Sequence, residues 1–417
     1  MTMAADKQDK VLNVPNLRFP EFNGEWHRTN IGECCSPLEY GMNAPAKEYD
    51  GKNKYIRITD IDEETCTYKY DDVVSPNALL EDKYKVLDND ILFARTGAST
   101  GKAYLYDKKD GLMYYAGFLI RGNVKLDFNS KFVFLQTQTQ KYKKWVEVMS
   151  IRSGQPGINS QEYSGFKFNL PPTKAEQDKI SSLFTLLDER ITTQIRIIDK
   201  LKSLMQGLNN ELMDNPKWAK VYVGDFMEFF STNSLSWDQL GYDNGQVRNL
   251  HYGLIHSGLP TMVDCQQVSL PYIQDTFLPK KYEICKDGDV VFADASEDTA
   301  EVGKAVELTN IDNQETICGL HTIHGRDVKN ITTGGFKGFA FNSKYFHDQL
   351  RRIAQGSKVY SINTDNLKSC YLYIPTISEQ KKIVGLLRCM QDRKDLAEQE
   401  LHLYESQKQF LLKGLFV

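Results

Sequence analysis

Three short motifs occur twice in this chain, in the same order and about 200 residues apart. Phe93-Ala94 followed by Gly101-Lys102-Ala103 returns as Phe292-Ala293 followed by Gly303-Lys304-Ala305. Phe128-Asn129-Ser130-Lys131-Phe132 returns as Phe341-Asn342-Ser343-Lys344-Tyr345. Pro172-Thr173, Glu176-Gln177 and Lys179-Ile180 return as Pro375-Thr376, Glu379-Gln380 and Lys382-Ile383, six identities in nine positions. The offset drifts from 199 to 213, so loop lengths differ between the copies. A period this long is not that of a solenoid; it marks a duplicated domain with a connector. Each copy opens on segments rich in Val, Ile, Tyr and Phe, such as Tyr55-Ile56-Arg57-Ile58-Thr59 and Asp289-Val290-Val291-Phe292, which read as strands. A short helical stretch follows each Asn-Ser-Lys, and each copy closes on Pro-Thr into a long helix.

Apolar residues in the first long helix fall at Ile180, Phe184, Leu187, Ile191, Ile195, Ile198, Met205, Leu208 and Leu212. In the second, Ile383, Leu387, Met390, Lys394, Ala397, Leu401, Tyr404, Lys408, Leu411 and Leu415 step by four and three, a heptad seam with two Lys interruptions. Thr173 with Glu176, and Thr376 with Glu379, have the spacing of a capping box. Roughly 40 residues at about 1.5 Å each make a rod of about 60 Å. Similar lengths and matching starts predict that the two helices pack on each other. If they run antiparallel, the two globular copies lie at opposite ends, related by a pseudo-twofold. A helical hairpin within one core is the alternative.

A chain of 417 residues, 41% apolar, has material for two or three domains. It contains no apolar run of 18 residues, and MTMAADKQDK lacks the apolar stretch of a secretory signal, so a cytoplasmic protein is expected. Eight cysteines with no CxxC pair fit free thiols in a reducing compartment. The net charge of −4 counts against a protein that coats DNA by charge alone. It leaves room for a local basic face, or for partners that supply much of the phosphate contact.

Such a face stands at residues 131–152, where Lys131, Lys141, Lys143, Lys144 and Arg152 meet one acid, Glu147. Phe132, Phe134, Tyr142 and Trp145 interleave, more as core than as stacking platforms. Gln136, Gln138 and Gln140 carry amides suited to adenine edges. The second copy offers Lys344, Arg351, Arg352 and Lys358 against Asp348, and the polar loops Ser153-Gly154-Gln155 and Gly356-Ser357-Lys358 follow. Gly97-Ala98-Ser99-Thr100-Gly101-Lys102 has three residues between its glycines and Ala103 after the Lys, so it is no nucleotide loop. It is either a turn or a loop that brings amides and Lys102 to a DNA phosphate. The candidate DNA contacts are Arg95, Ser99, Thr100, Lys102, Lys141, Lys143, Lys144, Arg152, Ser153 and Gln155 in the first copy. In the second they are Tyr252, His256, Lys304, Arg351, Arg352, Ser357, Lys358 and Tyr360. No catalytic residue and no metal ligand is assigned. Cys318, His321 and His324 are ligand types, but aligning Gly117 with Gly319 sets them against Ala116, Leu119 and Gly122, and no fourth ligand is apparent. Asp71, Asp72 and Glu81-Asp82-Lys83 read as solvated surface rather than a nuclease centre. Phe168-Asn169-Leu170-Pro171-Pro172 is not the Asn-Pro-Pro-aromatic motif that adenine methylation needs, and a glycine-rich cofactor loop is missing.

Taken over nearly its whole length, the chain resembles the specificity subunits of type I restriction-modification systems. The resemblance is carried by Val14-Pro15-Asn16-Leu17-Arg18-Phe19-Pro20-Glu21-Phe22 with Glu25-Trp26, by Tyr55-Ile56-Arg57-Ile58-Thr59-Asp60-Ile61, by Asn249-Leu250-His251-Tyr252-Gly253, and by the doubled Pro-Thr-x-x-Glu-Gln-x-Lys-Ile. It implies an α+β chain: a polar tail (1–14), two α/β target recognition domains (15–171 and 215–373), a central spacer helix (172–214) and a C-terminal one (374–417). It further implies a non-catalytic subunit that reads a bipartite target in double-stranded DNA. Two methyltransferase subunits would dock on the helices, and restriction subunits would join through them. S-adenosylmethionine, ATP and Mg are expected on those partners and no cofactor on this chain. A structural adaptor with duplicated protein-binding domains, or a stand-alone DNA-modifying enzyme, are the competing readings.

Overall fold

The computed structural model describes residues 13–243, 245–298, 301–311, 314–354 and 359–416. They divide into two compact units, one drawn from 1–195 and 399–417, the other from 196–398.

In the first unit, His27–Asn30 pairs antiparallel with Lys167–Leu170, so the entering and leaving strands close the domain just ahead of the long helix. Strand β1 (Asp90–Ala94) lies between β2 (Ala103–Leu105) and β3 (Leu119–Asn123), with Glu39–Tyr40 on the far side of β3. Every residue of β1 is buried because the sheet has a core on each face. Side chains alternate along a strand, so Ile91 and Phe93 enter a core with Trp26, Phe132 and Phe168. Leu92 and Ala94 enter another with Ile56, Met113 and Tyr115. Helix α1 (Gln140–Met149) covers the first of these.

The second unit repeats the plan. Ala219–Tyr222 pairs antiparallel with Tyr371–Ile374. Strand β4 (Val290–Ala293) runs between β5 (Ala305–Thr309) and β6 (Thr322–Asp327) in a five-stranded sheet. Val290 and Phe292 face one core, Val291 and Ala293 another. The repeated Phe-Ala is thus the end of the central strand of each unit.

The long helices are α2 (Lys174–Met213) and, after α3 (Lys344–Ile353), α4 (Ile377–Leu415). Within the first unit, Asp188 accepts a hydrogen bond from Lys408 (2.8 Å) and Gln194 donates one to Glu400 (3.0 Å). Partner numbers fall as α2 numbers rise, so the helices run antiparallel there. Within the second unit, Leu208, Leu212 and Met213 share a core with Ile383, Val384 and Leu387, again end against start. The chain is therefore α+β: two α/β units and two long helices that pair antiparallel inside each unit. Among the described residues no helix is long and apolar enough to cross a membrane.

The expected caps differ between the helices. Thr376 and Glu379 form the full reciprocal box. At Thr173 only half forms: its hydroxyl accepts from the Glu176 amide, while the Glu176 carboxylate takes two hydrogen bonds from Arg18 and one from Trp26. The repeated Gln has one job in both copies. Gln177 accepts from the Asn129 amide (3.0 Å) and Gln380 from the Thr333 amide (2.7 Å), fixing the chain ahead of the next helix.

Candidate nucleic-acid interface

The repeated Gly-Lys is built the same way in both units. Gly101 N–H donates to Ala94 and Gly303 N–H to Ala293, each at 3.0 Å, and both glycines have positive φ, +92° and +76°. A Cβ on Gly101 would lie 2.5 Å from Val146 of α1, and one on Gly303 would lie 2.4 Å from Leu350 of α3. Glycine is thus required by a left-handed turn pressed against a helix. The neighbouring lysines are held by carboxylates: Lys102 by Glu63 at 3.0 Å and Lys304 by Glu301 at 2.8 Å.

Two loops meet beside this turn in the first unit. Gly97 N–H donates to Pro156 and Ile158 N–H to Arg95, both at 2.9 Å. The pairing joins Ser99 and Thr100, on one loop, to the exposed stretch Arg152, Ser153 and Gln155 on the other. Arg95 spreads over the exposed rings of Tyr40 (5.0 Å) and Phe118 (6.0 Å), and its buried Nε has no hydrogen-bond partner among the described residues. Arg152 is held by Glu162 through two hydrogen bonds of 2.7 and 2.8 Å. On α1, Lys141, Lys143 and Lys144 are exposed, and Lys143 and Lys144 have no carboxylate partner among the described residues.

The second unit has the same corner with other chemistry. Asp294 N–H donates to His321, as Arg95 N–H does to Phe118, and Ile362 N–H donates to Asp294, as Ile158 does to Arg95. Ser296 pairs with Tyr360. Where the first unit sets Arg95 against Phe118, the second sets Asp294 against His321 at 3.1 Å. Burial holds Asp294 above the ordinary carboxylate value, and His321 opposes that rise. Tyr252 stands edge-on to His321 (5.2 Å) and His256 (5.9 Å), and His256 Nε2 meets the Ala295 carbonyl at 3.0 Å. Arg351 and Arg352 are exposed on α3, with Arg351 3.6 Å from Asp348. Gly356, Ser357 and Lys358 lie outside the described residues.

Comparison with known proteins places this geometry. Residues 25–203 match the family described as "Type I restriction modification DNA specificity domain". A curated relative, the type I restriction enzyme MjaVIII specificity subunit of Methanocaldococcus jannaschii, is 20% identical over 439 residues, covering 98% of this chain and 95% of the relative. The solved S subunit of a type I restriction-modification system from M. genitalium superposes with a TM-score of 0.59 at 14% identity, over 97% of this chain and 99% of that one. A chain from a structure on complex assembly and conformational transition of the type I R-M system gives 0.57 at 15% identity, over 95% and 97%. The two structures show a shared fold.

Within the first unit, several sequence expectations need correction. Gln136, the last residue of the helix Ser130–Gln136, and Gln138, in the turn after it, are buried; they are not surface amides for adenine. Phe132, Phe134 and Tyr142 are core, as expected. Lys131 is taken by Asp188 at 2.6 Å. The alignment of Gly117 with Gly319 is one residue off. Ala94 faces Leu119 and Ala293 faces Thr322, so Cys318, His321 and His324 stand where Tyr115, Phe118 and Arg121 stand in the first unit. Of those three, His321 is at the surface, whereas Cys318 and His324 are buried. Sequence patterning does not single out Tyr40, Phe118 or Asp294. An aromatic at a strand end carries no mark of exposure until its partner strand is known.

Proposed function

We propose that this chain is the DNA sequence-specificity subunit of a type I restriction-modification complex, each unit reading one half of a bipartite target. The observation that carries it is the repeated corner: equivalent loops, on equivalent strands, present Arg95 with Tyr40 and Phe118 in one unit and Asp294 with His321, Tyr252 and His256 in the other. One scaffold with two different side-chain sets suits two different half-sites. Arg95 suits guanine, to which an arginine donates two hydrogen bonds in the major groove. Lys141, Lys143, Lys144, Arg351 and Arg352 position the duplex through phosphates. Lys102, Arg152 and Lys304 each exchange a carboxylate for phosphate on binding, and Ser99, Thr100, Ser153, Gln155 and Tyr360 line the same loops. The long helices set the spacing and dock two methyltransferase subunits, with restriction subunits joining through these. S-adenosylmethionine, ATP and Mg belong to those partners, and the complex works in the cytoplasm. The chain is a recognition subunit and not an enzyme.

The test is to express the chain with its partner subunits and map modified bases genome-wide. A split motif with a fixed gap is expected. Methylation or cleavage by the isolated chain, or binding of the assembled complex to all duplexes alike, overturns the reading.

A further inference from the structure

Beneath the second unit's sheet, three residues far apart in sequence converge. Cys285 precedes β4, Cys318 ends the strand Thr316–Cys318, and His324 is in β6. The two sulfurs are 3.5 Å apart, and they and a His324 ring nitrogen all lie within 4.8 Å of one another. All three side chains are buried. His324 Nε2 is 2.7 Å from Asp289, whose carboxylate also takes Arg326 and the Lys286 amide. That leaves Nδ1, which is buried and has no hydrogen-bond partner among the described residues.

A buried thiol alone asks for no explanation, since cysteine packs as a small hydrophobe. The imidazole does. Its one bonded nitrogen is oriented by a carboxylate, the arrangement that fixes a metal-bound histidine. Its other nitrogen is left as a buried acceptor, in a ring that brings a nitrogen within 4.8 Å of both sulfurs. The first unit shows that the fold itself does not require these residues. The equivalent Asp90 keeps its turn, accepting from the Leu87 amide at 2.7 Å as Asp289 does from Lys286 at 2.8 Å. Around it, Val86, Tyr115 and Arg121 replace Cys285, Cys318 and His324, with Arg121 stacked on Tyr115 at 5.2 Å.

We propose that Cys285, Cys318 and His324 form a structural site for a thiophilic divalent cation, of which Zn(II) is the natural occupant. Two thiolates and a neutral imidazole around a dication make a group of zero net charge, which a buried site tolerates far better than a lone thiolate. The sulfur separation suits two thiolates on one zinc, with bonds of about 2.3 Å at tetrahedral angles. Binding exchanges two S–H protons for the metal: Zn(II) plus two thiols and the Nδ1 lone pair gives the bis-thiolate complex and two protons. A backbone carbonyl or one buried water completes the tetrahedron. The ion would clasp the segment before β4, the strand Thr316–Cys318 and β6. This inference does not depend on what the chain recognises.

The test uses the full, untagged chain, loaded with Zn(II) under reducing conditions and freed of loose metal by gel filtration with a weak chelator. About one zinc per chain is expected, with a raised melting temperature and about two protons released per ion. Co(II) in its place should give thiolate-to-cobalt charge-transfer absorption. The variant Cys285→Val with Cys318→Ala should retain less than a tenth of the metal. Failure of the wild-type chain to hold zinc, a Co(II) spectrum without sulfur bands, or equal retention by the folded variant overturns the site. So does isolation of the chain with Cys285 and Cys318 joined as a disulfide. If the variant does not fold, the wild-type cobalt spectrum alone decides.

Discussion

Gly101 and Gly303 show how much one residue can fix. Each sits at positive φ with no room for a Cβ against Val146 or Leu350. Alanine at either place adds left-handed strain of about 1 kcal/mol and overpacking of about 1–3 kcal/mol. We expect Gly101→Ala to lower the urea midpoint of the first unit's unfolding accordingly, and Gly303→Ala that of the second. Lys143 and Lys144 act differently, as exposed charges without a carboxylate partner among the described residues. Charge reversal at both should weaken DNA binding of the assembled complex for every sequence alike. The slope of log affinity against log salt should become shallower by about 0.9 for each phosphate that is no longer neutralised. A salt titration with specific and random duplexes checks this, and an unchanged slope would place α1 away from DNA. Arg95→Ala should instead cost about 1–3 kcal/mol on the cognate duplex and relax recognition in one half-site only.

At the scale of the element, the seam between α2 and α4 is not purely apolar. In the first unit its Lys interruption, Lys408, reaches Asp188, which Lys131 also holds. Burial pushes the Asp188 carboxyl up, but the two lysines outweigh it and leave it below its ordinary value of 3.8. A carboxyl lowered in the folded state contributes stability that is fully present above its unfolded value. That contribution is lost as pH falls through the folded value. Stability should therefore hold from neutral pH to about 4 and drop below it, by more in the native chain than in Asp188→Asn. At neutral pH, Asp188→Asn strands two lysines and should cost about 2 kcal/mol, less than for a fully buried pair because the site is partly open to water. Denaturant unfolding at several pH values measures both effects.

For the whole molecule, the duplication makes the readers separable. Replacing residues 15–171 with the equivalent segment of another family member should change one half of the modified motif and leave the other intact. A change in both halves would end the two-reader model. The helices should act as a ruler. Four residues added to each long helix lengthen it by about 6 Å. At about 3.4 Å per base pair, the gap between unchanged half-sites should grow by one to two base pairs. Motif mapping in cells that carry the lengthened subunit and its partners decides this, and an active complex with the original gap would show that something else sets the spacing.

The duplicated plan is legible in the chain because helix and strand patterning is local and the motifs stand in order. Phe93-Ala94 and Phe292-Ala293, the two Pro-Thr helix starts and the heptad steps each require only neighbours along the sequence. So does the core assignment of Phe132, Phe134 and Tyr142, large aromatics within short helical stretches. Pairings across tens or hundreds of residues are beyond the reach of such patterns. Glu176 has the spacing of a cap, yet Arg18 and Trp26 claim its carboxylate. Gln138 has the sequence setting of a surface amide, but it is buried in the turn between two helices. The one-residue slip at Gly117 and Gly319 comes from matching glycines, whereas register is decided by which residues face each other across β1 and β3. In the second unit, the Cys285 N–H donates to the Thr316 carbonyl and His324 faces Val291; these pairings, not any motif spacing, put Cys285 beside Cys318 and His324, because contact depends on how strands stack and not on how far apart residues stand along the chain.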